Sequence, residues 1–221
     1  MTRNLKTSLA IVAVVAAVIV TAALVDGPAP RGGPTPQATG TANAVLVRPD
    51  SHRLSTAADG KVTVVEFLDF ECEACGATYP TVEKIRETYA DRITFVVRYF
   101  PIASHPNAVL AARAVEAAAR QGRFEAMYRV MFQRQTQWGH QDNKPQTDTF
   151  VGYARELGLD LDRYARDLHD PAVAERVRAD QRDGTTLGVR GTPTFFVNGS
   201  PVNGLPDYTT FSALLDRELA R

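Results

Sequence analysis

The motif Cys72-Glu73-Ala74-Cys75 constrains this chain more than any other feature, because it holds the only two cysteines among 221 residues. Residues 61–68, just before it, are β-branched and mostly apolar, which is typical of a buried strand. Residues 77–89, just after it, have the composition of a helix. The cysteines are therefore expected where a strand passes into the first turn of a helix. Free N–H groups at that helix end favour negative charge and would stabilise a thiolate.

This placement predicts different roles for the two thiols. A cysteine at a helix N-terminus can have a pKa of roughly 3.5 to 7.5, compared with about 8.5 for an ordinary thiol. We expect Cys72, the outer residue, to be exposed and ionised, and to act as the nucleophile. We expect Cys75, one turn further into the helix, to be the buried resolving thiol.

Two other uses of a C-x-x-C pair fit the chain less well. A zinc site needs two further ligands, and the four histidines at positions 52, 105, 140 and 169 lack ligand spacing. A purely structural disulfide across so short a loop would constrain the unfolded chain only a little. The sequence therefore favours a redox-active pair, and it predicts neither a metal nor a cofactor.

The N-terminal part of the chain has the pattern of a membrane anchor. Residues 7–25 carry no charge, and at about 1.5 Å per residue they would span about 28 Å of helix. Arg3 and Lys6 precede this run and predict a cytoplasmic N-terminus with the remainder of the chain outside. We predict a cytoplasmic stub and an uncleaved transmembrane signal anchor over residues 1–26. Cleavage would instead leave a secreted form.

The composition changes sharply after this run. Residues 27–43 contain four Pro and four Gly, which predicts an extended linker. Folded sequence is expected over residues 44–221, long enough for one domain with a substantial core. The formal net charge of zero argues against a nucleic-acid partner.

The rest of the chain predicts alternating strands and helices. An edge strand is expected at residues 45–48, and a second strand at 93–99 would complete a βαβ unit. Asn198-Gly199 indicates a hairpin turn, and Asp207 is expected to cap a final helix over residues 208–220. Further helices are predicted at residues 108–120, 124–137, 150–157, 161–168 and 172–187.

Two motifs together resemble a known family. Glu66-Phe67-Leu68-Asp69-Phe70-Glu71-Cys72-Glu73-Ala74-Cys75 and Gly191-Thr192-Pro193-Thr194-Phe195 resemble the DsbA-like branch of the thioredoxin superfamily. The resemblance implies a thioredoxin-like α/β fold with a helical insert at about residues 106–187, here following one transmembrane helix. It implies that Pro193, preceded by Thr192, is cis and faces the sulfurs. It also implies that Glu66 is a buried acid that takes a proton from Cys75.

The chain departs from the family between its cysteines. Family oxidases often carry Pro-His there, where this chain has Glu73-Ala74. Asp69, Glu71 and Glu73 would place negative charge near Cys72 and oppose its thiolate. Treated as exposed charges, they are expected to act weakly, which predicts an oxidase of intermediate strength.

The resemblance implies a thiol–disulfide oxidoreductase that is anchored in the cell membrane and donates disulfides to exported proteins with thiols. A membrane quinone-linked partner would reoxidise it. We expect a monomer, since no dimerisation domain is visible. Two alternatives remain open: a disulfide reductase or isomerase, and a non-catalytic binding module or chaperone on the same fold.

Overall fold

A mixed sheet with the strand order β1-β3-β2-β4-β5 forms the centre of the fold. The computed structural model describes residues 45–140 and 144–221. β2 runs parallel to β3, while β1 pairs antiparallel with β3 and β4 pairs antiparallel with β2. The strands are β1 His52–Ser55, β2 Thr63–Leu68, β3 Thr94–Tyr99, β4 Thr194–Val197 and β5 Ser200–Pro201.

Helices cover both faces of this sheet. Those from α2 to α7 all lie between β3 and β4 in the chain, and they form the predicted helical insert. The helices are α1 Glu73–Tyr89, α2 Ala108–Ala119, α3 Phe124–Gln133, α4 Gln135–Trp138, α5 Thr147–Glu156, α6 Leu161–His169, α7 Pro171–Thr186 and α8 Tyr208–Leu219.

The central strand β2 is buried on both faces, as its apolar run predicts. Successive side chains of a strand point to opposite faces. Val64 and Leu68 therefore join the larger core beneath α1, while Val65 and Phe67 join a second cluster on the other side. Because both faces are covered, the end of β2 is held rigidly, and α1 begins just beyond it.

A buried ion network fixes the start of the described chain. Arg98 on β3 is fully buried and pairs with Asp180 and Asp183 of α7. Its Nη1 also donates to the carbonyl oxygens of Val45, at 2.7 Å, and Leu46, at 2.6 Å. A charge buried this deeply has to be paired and hydrogen-bonded. Arg98 meets this need in part with the carbonyls of Val45 and Leu46, which a strand would use for hydrogen bonds to its neighbour.

This network explains why the predicted edge strand at residues 45–48 is wrong. Val45 and Leu46 are helical, and the edge strand is β1 at His52–Ser55, whose register shifts between Arg53 and Ser55. The apolar composition of residues 45–48 did not reveal that the Arg98 side chain hydrogen-bonds to the carbonyls of Val45 and Leu46.

The predicted turn and helix cap near the C-terminus are confirmed. Asn198 and Gly199 both have positive φ angles, 47° and 84°, as a tight hairpin turn requires. The Asp207 side chain accepts from the Thr210 N–H at 2.8 Å and caps α8.

The predicted membrane span at residues 7–25 and the linker at 27–43 lie outside the described residues. Within residues 45–140 and 144–221, no helix is both long and apolar enough to cross a membrane.

The packing of α7 against the sheet predicts opposite effects for alanine at two helical glycines. A Cβ on Gly184 would lie 2.7 Å from Phe100 Cδ2 and 3.0 Å from Phe67 Cδ1, whereas one on Gly152 in α5 would meet nothing within 4 Å. We expect Gly184→Ala to lower the free energy of unfolding by about 1–3 kcal/mol through overpacking. Gly152→Ala should raise it by about 0.5–1 kcal/mol, because alanine favours the helix. Urea unfolding of both variants measures this; equal effects would contradict the packing described.

Candidate redox-active site

The two cysteines lie at the junction predicted for them. β2 ends at Leu68, and Cys72 is the N-cap of α1 with extended backbone angles, φ −67° and ψ 121°. Its N–H donates to the Asp69 carbonyl at 3.2 Å, and its own carbonyl accepts from the Gly76 N–H at 3.0 Å. Cys72 therefore closes the turn after β2 and opens the helix, and both cysteines are free thiols.

Cys72 is more enclosed than predicted. Only 8% of its surface is exposed, so the expectation of an exposed nucleophile is wrong. Its Sγ–H donates to the Thr192 carbonyl oxygen at 3.3 Å. The predicted cis peptide between Thr192 and Pro193 is present. The loop before β4 thus lies against the sulfur and covers it, a long-range contact that local patterns do not report.

The surroundings shift the pKa values of the two thiols in opposite directions. The pKa of Cys72 falls to about 5, chiefly because the Cys75 thiol hydrogen-bonds to its sulfur. Burial opposes this fall, while the Thr192 side chain and the N–H groups of Cys75 and Ala74 add to it. The pKa of Cys75 is raised well above its usual value, first by burial and then by the hydrogen bond to Cys72 and the charge of Glu66.

Glu66 lies on β2 and is buried, as expected, with 2% of its surface exposed. Burial, followed by the nearby charge of Glu83, raises its pKa to about 8. Among the described residues its Oε2 has no hydrogen-bond partner. A buried carboxyl that titrates near neutral pH and interacts electrostatically with Cys75 can donate or accept a proton there.

Two of the three acids near Cys72, Asp69 and Glu71, were predicted to be exposed, and this prediction is wrong. Asp69 has only 1% of its surface exposed. Its carboxylate accepts from the N–H groups of Glu71, at 2.8 Å, and Ile102, at 2.9 Å, and contacts His105 Nδ1 at 2.7 Å. Burial raises the pKa of Asp69, although these hydrogen bonds oppose the rise.

Glu71 is fully buried and connects three segments. Its carboxylate accepts from the Asn107 N–H at 2.6 Å and the His140 N–H at 3.0 Å. Glu73 alone matches the expectation, since 84% of its side chain is exposed. Asp69 and Glu71 therefore order the loops around the site instead of facing solvent.

Several residues of the site were missed by reasoning from the sequence. His105 and His140 are 35 positions apart, yet their ring centroids lie 5.1 Å apart beside Asp69 and Glu71. Gln135 of α4 donates from Nε2 to the carbonyls of Phe70 and Cys72, at 2.8 Å each. The fold brings these residues together, and no local pattern marks them.

The described residues contain no group of three or more His, Cys, Asp or Glu side chains that could hold a metal ion. The chemistry that this arrangement supports is thiol–disulfide exchange between an acidic outer thiol and a buried inner one, next to a titratable carboxyl.

The chain matches a thioredoxin family model over residues 54–217. A curated relative, named Na(+)/H(+) antiporter NhaA, from Herminiimonas arsenicoxydans, is 38% identical over 170 residues. That match covers 77% of this chain but only 26% of the relative, so the chain spans about a quarter of its length. The antiporter name describes that longer protein.

Solved structures share the fold. A thioredoxin-like oxidoreductase from Silicibacter pomeroyi has a TM-score of 0.67 at 27% identity, covering 81% of this chain and 98% of its own. A periplasmic thioredoxin-like protein from Salmonella enterica serovar Typhimurium has a TM-score of 0.66 at 25% identity, covering 82% and 97%. Alpha-DsbA1 of Wolbachia pipientis has a TM-score of 0.72 at 18% identity, covering 81% and 96%. The chain therefore belongs to the thioredoxin superfamily, and it shares its fold with DsbA-like proteins.

Proposed function

We propose that this chain donates disulfides to exported proteins outside the cytoplasm through a Cys72–Cys75 disulfide. The observation that carries the proposal is the contrast between the thiols: a pKa of about 5 for Cys72 and a pKa well above the usual value for Cys75. A thiolate stabilised in this way stabilises the dithiol form relative to the disulfide. The disulfide form is then a better oxidant than one whose thiols have ordinary pKa values.

The proposed reaction begins when a substrate thiolate attacks Cys72 Sγ in the disulfide form. The Cys72–Cys75 bond breaks, a mixed disulfide forms, and Cys75 leaves as a thiolate. Glu66 in its protonated form can supply the proton that Cys75 needs, because the pKa of Cys75 is high in this buried position.

A second substrate thiolate then attacks the substrate sulfur of the mixed disulfide. The substrate disulfide forms and Cys72 is released as a thiolate, which its low pKa makes a good leaving group. Two electrons have passed from the substrate to the pair. We propose that a membrane quinone-linked partner accepts these electrons, with the chain acting as a monomer.

Two observations support a site outside the cytoplasm. The basic residues before the uncharged run at 7–25 predict that the domain is exported and remains anchored. The Salmonella structure with the same fold is described as periplasmic. Disulfides also persist best in such compartments.

A reductase or isomerase would use the same two cysteines. The direction of electron flow depends on how strongly the site stabilises the dithiol form. Glu73 is largely exposed, so solvent screens its effect on Cys72. The largest influence on the pKa of Cys72 is the hydrogen bond with Cys75, which lowers it. A stabilised Cys72 thiolate favours the oxidase.

The low pKa of Cys72 predicts rapid alkylation in mild acid. We expect the iodoacetamide reaction of the reduced protein to follow a titration with a midpoint near pH 5. Cys75→Ala should raise the midpoint, because the Cys75 thiol contributes the largest stabilising hydrogen bond. Cys72→Ser is the control and should lose the fast reaction. Faster labelling of Cys75 than of Cys72 would reverse the assigned roles.

The raised pKa of Glu66 predicts that the oxidised protein loses stability as the pH rises. The folded state binds this proton more tightly than the unfolded state, so the loss extends from about pH 4.5 to about pH 8. We expect Glu66→Gln to flatten this decline and to gain on the order of a few kcal/mol at pH 8. Urea unfolding of the oxidised protein isolates the effect, because neither cysteine titrates in the disulfide. Glu73→Gln is the control and should behave like the wild type.

The direction of the reaction can be measured by equilibration with glutathione. We expect a reduction potential above that of cytosolic thioredoxin, about −270 mV, because the Cys72 thiolate stabilises the dithiol form. Glu73→Gln should make the pair slightly more oxidising, since it removes an exposed negative charge. A wild-type potential at or below the thioredoxin value would support a reductase instead.

A further inference from the structure

We propose that Gln135, in the helical insert, is a positioning residue that holds the turn carrying Cys72 in its reactive geometry. The residue belongs to neither sequence motif, and α4 begins with it. This inference deepens the proposed function and rests on it, because it concerns the same nucleophile.

The side-chain amide of Gln135 spans the active-site turn. Only 9% of the residue is exposed, and its Nε2 donates to the carbonyls of both Phe70 and Cys72 at 2.8 Å. An amide nitrogen has two hydrogens, and each of these carbonyls takes one. The two acceptors lie on either side of Glu71, so one side chain from the insert fixes both ends of that short segment.

This contact controls the groups that stabilise the Cys72 thiolate. The Cys72 carbonyl also accepts the first helical hydrogen bond of α1, from the Gly76 N–H at 3.0 Å. The peptide units that follow carry the N–H groups of Ala74 and Cys75, which hydrogen-bond to the Cys72 sulfur. Because hydrogen bonds weaken steeply with distance and angle, these donors act fully only while the turn is fixed.

Gln135 is itself held rigidly. Its carbonyl accepts from the Gly139 N–H at 2.7 Å, which closes α4. The indole of Trp138, fully buried on the same short helix, donates to the Met131 carbonyl at 3.1 Å. The amide is therefore presented from a fixed backbone.

A second observation shows that α1 is shaped to receive this side chain. A Cβ on Gly76 would lie 2.0 Å from Gln135 Oε1 and 2.8 Å from its Cδ. Only glycine allows the amide to approach so closely. Substituting alanine for Gly76 would therefore displace the amide without changing Gln135 itself.

The other influences on Cys72 can be held constant in a test. The turn that carries Cys72 also carries Asp69, Glu71 and Glu73, and the segment just after α4 adds His140. Uncharged substitutions at Gln135 or Gly76 leave the charges of all these groups in place. The ionisable and charged residues around the site include Glu66, Asp69, Glu71, Glu73, Cys75, Glu83, His105, His140 and Arg190.

The test measures the pKa of Cys72 in the reduced full-length protein by thiolate absorbance near 240 nm. We expect Gln135→Met, which keeps most of the side-chain volume but loses the amide, to raise this pKa by about one unit. The glutathione equilibrium should move about tenfold towards the disulfide form. Gln137→Met is the matched control: Gln137 lies exposed on the same helix, and its loss should change neither value.

A double-mutant cycle separates positioning from general damage. Gly76→Ala should displace the amide and raise the pKa of Cys72 in the same way. In a Gln135→Ala background the new methyl group has room, so Gly76→Ala should add no further shift. Fluorescence of Trp138, the only tryptophan, reports whether each variant is folded.

The outcomes are distinct. Folded Gln135 and Gly76 variants with a wild-type Cys72 pKa, even if they melt at lower temperature, would show that the contact is merely structural and would overturn the inference. Additive shifts in the double mutant would overturn it as well. A wild-type pKa near 9 would contradict the proposed function first, and this inference with it.

Discussion

The hydrogen bond between the Cys75 thiol and the Cys72 sulfur is the interaction on which the site depends. It is the largest cause of the lowered pKa of Cys72, and it adds to burial in raising the pKa of Cys75. The contact exists only because the two residues are one turn apart at the end of a strand that is buried on both faces. The sheet therefore acts on the chemistry by fixing where α1 begins.

Buried polar groups extend this control well beyond the C-x-x-C motif. The carboxylates of Asp69 and Glu71 accept hydrogen bonds from backbone N–H groups in segments that follow β3 or α4. Gln135 donates two further hydrogen bonds to the turn that carries Cys72. In the protein interior, a hydrogen-bond donor or acceptor without a partner costs free energy. Each of these contacts therefore restrains the loops strongly. The insert is thus part of the active-site scaffold as well as a cover for the sheet.

The sequence predicted those features that depend on local patterns. The central strand, the helix after the cysteines, the Asn198-Gly199 turn and the Asp207 cap follow from periodicity and turn chemistry, and the structure has them. The cis Thr192–Pro193 peptide followed from the family resemblance.

The errors have a common cause in contacts between distant parts of the chain. The strand expected at residues 45–48 does not form, because Arg98 hydrogen-bonds to the first two backbone carbonyls of that segment. The acids Asp69 and Glu71 were expected to be exposed, but segments at the start of α2 and after α4 bury them. Neither contact could be read from neighbouring residues, because the partners are more than 30 positions apart.

The two edges of the sheet limit how this protein can pair with other chains. β5 is only two residues long and ends in Pro201, which has no N–H to offer, while β1 on the opposite edge breaks its register within four residues. Neither edge is a long, regular template to which an extended polypeptide could add. Short, irregular edges of this kind limit edge-to-edge pairing with other chains, and they thereby protect the protein from aggregation.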